Sequence, residues 1–191
     1  MRAAWAVPLV LVLAGCGGGQ PADRFGAAPD ACALVPGPVA TSVVSGATGK
    51  PGIGVPGKSN SCDWSFTAAE AARGQPYQRS LSVSATYYGS PAGQDQLTGT
   101  ELAARTFQSM RTALGVGDAG SVPGLGEEAY RKFANGAEKV EFRKANVTVS
   151  ISLGGVDLDA AGNSVPLPEE QARQSALTVA TAAAAELDKA R

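Results

Sequence analysis

The sequence predicts an α+β fold, with an antiparallel sheet of about five strands packed against two long helices. Three observations carry this. Residues 79–88 and 147–153 alternate apolar and polar side chains, as half-buried strands do. Residues 98–114 and 168–187 instead repeat their apolar positions at helical spacing. The intervening connections are short, and neither an internal repeat nor a heptad seam interrupts them.

Taken in order, Asp30-Ala31-Cys32-Ala33-Leu34-Val35 reads as a first helical turn with Asp30 as N-cap. Pro36 and Pro38 interrupt it, and residues 38–45 form a second short helix. Residues 46–61 read as a loop rich in Gly and Pro. Cys62-Asp63-Trp64-Ser65-Phe66 is the first strand. Residues 68–78 connect it to the second, 79–88. There Leu81, Val83, Ala85 and Tyr87 face one way and Ser82, Ser84, Thr86 and Tyr88 the other.

Thr98 and Glu101 have capping-box spacing at the start of the first long helix. Its apolar face carries Ala103, Phe107, Met110 and Leu114. A glycine-rich loop follows at 115–126. Strands are expected at 129–133, 140–143 and 147–153, with Asn135-Gly136 as the turn between the first two. In the last of them Val147, Val149, Ile151 and Leu153 point inward. After a loop at 154–167, Pro168 suits position N1 of the second long helix. That helix buries Ala172, Ala176, Val179, Ala183 and Leu187.

The N-terminus has its own logic. Met1 and Arg2 are cationic, residues 3–13 are apolar, and Leu13-Ala14-Gly15-Cys16 follows. This is an export-signal pattern. A membrane span needs ~20 apolar residues, more than this run supplies. Residues 1–15 are therefore expected to be a signal peptide, 16–29 a flexible tether, and 30–191 one extracytoplasmic domain.

Composition narrows the function. Removing residues 1–15 takes one cation, Arg2, from the 16 Lys and Arg, which leaves 15 against 17 Asp and Glu, a net charge of −2. Nucleic acid or anionic lipid would call for a basic surface. Histidine is absent, which removes imidazole-based catalysis, histidine-ligated zinc and imidazole pH switching. Cys32 and Cys62 form a candidate disulfide in an exported protein; two separate thiols are the alternative.

Several motifs read as structure rather than chemistry. Gly52-Ile53-Gly54-Val55-Pro56-Gly57-Lys58-Ser59 matches a P-loop pattern. Phosphate binding there needs a strand before and a helix after, whereas a strand is expected after it. Asn146-Val147-Thr148 is a sequon that begins a strand. Asp157, Asp159 and Asn163 lack calcium-loop spacing and read as a solvated turn. Neither a Gly-x-Ser-x-Gly elbow nor a Ser-x-x-Lys pair occurs. Trp64, Phe66, Tyr87 and Tyr88 read as core, with a ligand cleft as the alternative. No cofactor, metal, nucleotide or nucleic acid is expected.

Leu13-Ala14-Gly15-Cys16 resembles a bacterial lipobox. With Cys32-Ala33-Leu34-Val35, Cys62-Asp63-Trp64 and Val122-Pro123-Gly124-Leu125-Gly126-Glu127-Glu128-Ala129-Tyr130, the chain resembles actinobacterial lipoproteins carrying a domain of unknown function. The likeness spans about residues 30–187, and similar domains serve as extracellular sensors of actinobacterial kinases. It implies lipid on Cys16, a Mog1/PsbP-like sandwich, and anchorage to the outer face of the cell membrane. It brings no catalytic residue. The expected function is non-enzymatic binding at the cell envelope. A carrier or sensor of a small apolar or envelope-derived ligand is the alternative, and a hydrolase a third.

Overall fold

The computed structural model describes residues 23–68, 76–90 and 97–190. Cys16 and the export signal lie outside them. The order is α1 (Gly37–Val43), β1 (Lys50–Pro51), β2 (Ser59–Thr67), β3 (Pro76–Tyr87), α2 (Gly99–Ala113), β4 (Glu128–Ala134), β5 (Ala137–Lys144), β6 (Val147–Leu158), β7 (Ser164–Pro166) and α3 (Glu169–Lys189). The strands form one antiparallel sheet in the order β1-β2-β3-β6-β5-β4, with β7 paired to the far end of β6.

The α+β class and the antiparallel sheet are as expected, and the sheet is wider than five strands. All five expected strands are present and longer. The two extra ones, β1 and β7, fall in expected loops. β1 adds to the edge of β2 through its backbone while both its side chains stay exposed. It therefore leaves no alternation to read. β7 pairs beyond the end of β5, where Gly154-Gly155 blurs the pattern of β6.

One face of the sheet is the main core. Trp64, Leu81, Val83, Ile151, Leu153, Val140 and Phe142 lie on it, each 3% exposed or less. α3 packs there through Ala172, Ala176, Val179, Ala183 and Leu187, all fully buried as expected, together with Ala180. The small alanines let the helix axis approach the strands closely. Pro168 is the N-cap of α3, one position earlier than expected. Its fixed φ serves the entry equally well there.

α1 sits on the same side, preceded by the turn at residues 31–35. The Asp30 carboxylate accepts the Cys32 N–H at 2.9 Å, as an N-cap does. Cys32 is bonded to Cys62 on β2, with the Cα atoms 5.0 Å apart. In the chain-entropy picture a loop of this length contributes about 3–4 kcal/mol. The bridge holds the N-terminal turn to the sheet.

The expected tether is corrected from Asp23 onward. Phe25 is 7% exposed and belongs to the core. Asn146, fully buried at the β5–β6 turn, holds this segment. Its Oδ1 accepts the N–H groups of Arg24 at 3.1 Å and Phe25 at 3.0 Å. Its Nδ2 donates to the carbonyls of Phe25 at 2.9 Å and Tyr88 at 3.1 Å. Arg24 also pairs with Asp188 of α3 at 3.3 Å. The sequence suggested a linker because one large apolar residue in thirteen gives no period; the clamp comes from a distant asparagine.

The Val-Pro-Gly-Leu-Gly-Glu-Glu stretch also proves structural. Leu125 is buried in the core. Gly126 has φ +62°, and a Cβ there would run into the Arg143 carbonyl, so both conformation and space require glycine. Glu127 and Glu128 hold the Arg143 guanidinium at 2.6 and 2.8 Å.

Asn146→Ala strands two N–H and two carbonyl groups at once. It is expected to cost about 2–4 kcal/mol in urea unfolding. It should also open the Arg24 peptide bond to trypsin under native conditions. Wild-type stability and intact protection in the variant would show that the clamp carries no weight.

Candidate functional site

The opposite face of the sheet is paved with hydroxyls. β3 presents Ser80, Ser82, Ser84 and Thr86, and β6 presents Thr148, Ser150 and Ser152. The register sets Ser82 against Ser152, Ser84 against Ser150 and Thr86 against Thr148. On β2, Asp63 and Ser65 lie opposite Ser82 and Ser80. β5 extends the same rows with Lys139 beside Ser152 and Glu141 beside Ser150, and β4 sets Tyr130 beside Glu141.

α2 covers only part of this face. Its capping box forms as expected: Thr98 accepts the Glu101 N–H at 3.1 Å, and Glu101 accepts the Thr98 N–H at 2.8 Å. Asp23 adds a second cap, accepting the N–H groups of Thr100 at 2.8 Å and Gly99 at 3.1 Å. Burial pushes the Asp23 carboxyl up. Hydrogen bonds from Ser90, Thr100 and Gly99 outweigh this and hold it below its ordinary range. From this fixed start α2 lies over β5 and β6. Phe107 packs on Tyr130 with ring centroids 5.0 Å apart, and Ala103 is buried beside them. Met110 and Leu114 are only partly covered. Ser65, Ser80 and Ser82 remain exposed.

At the border of the helix lies a cleft of about 230 Å³. Hydroxyls of Ser84, Thr86, Thr148 and Ser150 line it, with Tyr88 and Met110. Glu141 and Lys139 face it too. The Glu141 side chain is 2% exposed and Lys139 is 35% exposed. Glu141 Oε2 accepts the Tyr130 phenol at 2.8 Å and pairs with Lys139 Nζ at 2.8 Å. Among the described residues, no protein donor reaches Oε1. A second concavity of about 470 Å³ lies at the other end of the same face, lined by Ser65, Gln78, Ser80, Asn135 and Gly154. Ser82 and Ser152 occupy the row between the two.

The residues singled out from sequence are distributed otherwise. Cys62 lies on the core face, away from the cleft. Trp64 is core, and Phe66 and Tyr87 pack against it; Tyr88 reaches the cleft instead. The segment from Gly52 to Lys58 is a hairpin loop between β1 and β2, and Ser59 opens a strand, not a helix. Lys58 is exposed there. Asp157 pairs with Arg79 at 2.7 Å. Asp159 closes a turn by accepting the N–H groups of Ala161 and Asn163, both at 2.8 Å. The Asn163 amide and these backbone donors hold the Asp159 carboxyl below its ordinary range.

Sequence reasoning missed Lys139, Glu141 and Tyr130. Their signal was present in the alternation of Lys139, Glu141 and Arg143 along β5. Which face those charges share depends on the register with β6, and that is a tertiary fact.

Burial, then the neighbouring Glu141 carboxylate, push the Tyr130 phenol far above its ordinary value of 10.0. The fold thus favours the protonated phenol, and its contribution to stability is lost as pH rises through and beyond 10.0. In a spectrophotometric titration, one of the four tyrosines is expected to ionise only on unfolding. Tyr130→Phe should remove that step. Persistence of the step in the variant would assign it to another tyrosine.

No family model, no curated protein and no solved structure matches the chain.

Proposed function

We propose that this chain is a lipoprotein, anchored through Cys16 to the outer face of the cell membrane, whose domain binds an envelope component without chemically changing it. The observation that carries the reading is the open hydroxyl face. A sheet face that is polar, regular and uncovered over β2 and β3 is built to meet something other than its own core. The absence of histidine from the sequence leaves no imidazole base to activate a serine there. The lipobox at Leu13–Cys16 supports the location, and the resemblance to actinobacterial lipoproteins agrees with it. No helix among the described residues is long and apolar enough to cross a membrane, so the lipid is the anchor in this reading. Two acyl chains suffice for stable attachment.

An apolar ligand held between α3 and the sheet is less well supported. The helix meets the strands through side chains with no exposure on either side, such as Val179 and Val140. The ligand is better sought on the polar face.

Two experiments test this. Cys16→Ala is expected to move the protein from membranes to uncleaved precursor or medium in fractionated cells. Retention on membranes after complete signal removal would remove the lipoprotein reading. Separately, a photo-crosslinking residue at Ser82 should give a discrete adduct in intact cells, while one at Gln174, exposed on α3, should not. Equal labelling at both positions, or none at Ser82, would count against a binding face there.

A further inference from the structure

We infer that the hydroxyl face binds a neutral polysaccharide strand, with one sugar ring seated in the cleft at Glu141. The inference rests on the binding reading above and assigns its ligand class and site.

The chemistry of the cleft selects the ligand. Ser84, Thr86, Thr148 and Ser150 each donate and accept hydrogen bonds. A partner whose own groups do both matches them at every position, and sugar hydroxyls do. Glu141 lines the cleft, and both of its partners, Tyr130 and Lys139, meet Oε2, which leaves Oε1 without a donor among the described residues. A carboxylate oxygen left open in that position can accept a hydroxyl donor supplied from outside. Lys139 already neutralises the carboxylate at 2.8 Å, so the incoming donor need not be charged. A cationic ligand would meet the ammonium, and an anionic one the buried Glu141. A neutral hydroxyl meets neither penalty. Tyr88 and Met110 give the apolar C–H face of a ring a surface to lie against.

Size and extent select the form. The cleft of about 230 Å³ is smaller than the ~300–1,000 Å³ of pockets for drug-sized molecules. One sugar ring is the fitting unit. The polar row continues along β3 from Thr86 through Ser84, Ser82 and Ser80 to Gln78, and the Ser65–Gln78 concavity closes the far end. At ~3.4 Å per residue this row is about 27 Å long. A single glycolipid headgroup would use only one end of it. An extended strand of several sugars uses the whole length, so the polysaccharide is the favoured source.

The test uses the full chain in detergent micelles, with immobilised hexasaccharides of glucose, mannose and galactose in biolayer interferometry. Free monosaccharides, spermidine and vesicles containing glucosyl diacylglycerol are the comparison probes. At least one hexasaccharide is expected to bind, with its monosaccharide much weaker. The double variant Ser84→Ala/Ser150→Ala is expected to weaken it about tenfold through two lost hydrogen bonds. These substitutions leave the Glu141–Lys139 pair and the core untouched, and circular dichroism checks the fold. Thr178→Ala, exposed on α3, should bind as wild type. Binding unchanged in the double variant would place the site elsewhere and overturn the assignment. Binding of spermidine alone, or of the vesicles alone, would overturn the neutral-polysaccharide class. If no probe binds while the Ser82 adduct still forms in cells, the glycan inference falls and the binding face stands. If both fail, both fall.

Discussion

The pairing of β3 with β6 is the constraint on which the rest depends. Eleven Cα partners run between them, from Pro76 with Asp157 to Tyr87 with Val147. The same register sets Leu81 against Leu153 and Val83 against Ile151, and sets Ser82 against Ser152. A slip of one residue would turn every apolar side chain outward and every hydroxyl inward. The core and the polar face are therefore two consequences of one alignment. α1 and α3 gather on the apolar side, where they have something to bury. α2 meets the other side, over β5 and β6, where Phe107 packs against the Tyr130 ring.

Around that alignment, a few buried polar side chains tie down parts that have too little apolar surface to hold themselves. Asn146 fixes the N-terminal segment by four hydrogen bonds. Arg143 gathers Glu127 and Glu128 and so positions the loop that inserts Leu125. Arg79, 5% exposed, lies over Gly155 and reaches Asp157. A Cβ at Gly155 would stand 2.4 Å from the Gln78 carbonyl oxygen and 2.8 Å from Arg79 Cδ, which explains a glycine inside a strand. Such groups stabilise only while fully paired, because an orphaned buried charge or amide costs several kcal/mol, in the range of about 3–5 for a broken ion pair.

Glu138 and Glu141 show how position changes the meaning of one residue type. They are three apart on β5, an odd separation that puts them on opposite faces; both are nearly unexposed, but Glu138 lies among the core-facing residues and Glu141 on the polar face. Burial pushes the Glu138 carboxyl up despite Arg131 at 3.3 Å; its Oε2 has no hydrogen-bond partner among the described residues. Glu141 is tied to Tyr130 and Lys139 and faces a cleft. The functional reading attaches to the second because access, not burial, separates them.

The sequence by itself determined the α+β class, five of the strands and both long helices, because alternation and helical period are local consequences of one-sided burial. It also marked Thr98 and Glu101 as a cap and Cys32 with Cys62 as a candidate bridge. It could not place Lys50–Pro51 or Ser164–Pro166 in the sheet, since these pair by backbone alone. It read residues 23–29 as linker, since the partner that orders them is Asn146, more than a hundred residues away. The serines of β3 and β6 were legible as outward-facing. That they form one continuous face with Lys139, Glu141 and Tyr130, partly roofed by α2, was decided only by tertiary structure. Register joins residues from strands far apart in the chain, and no local pattern records which strand lies beside which.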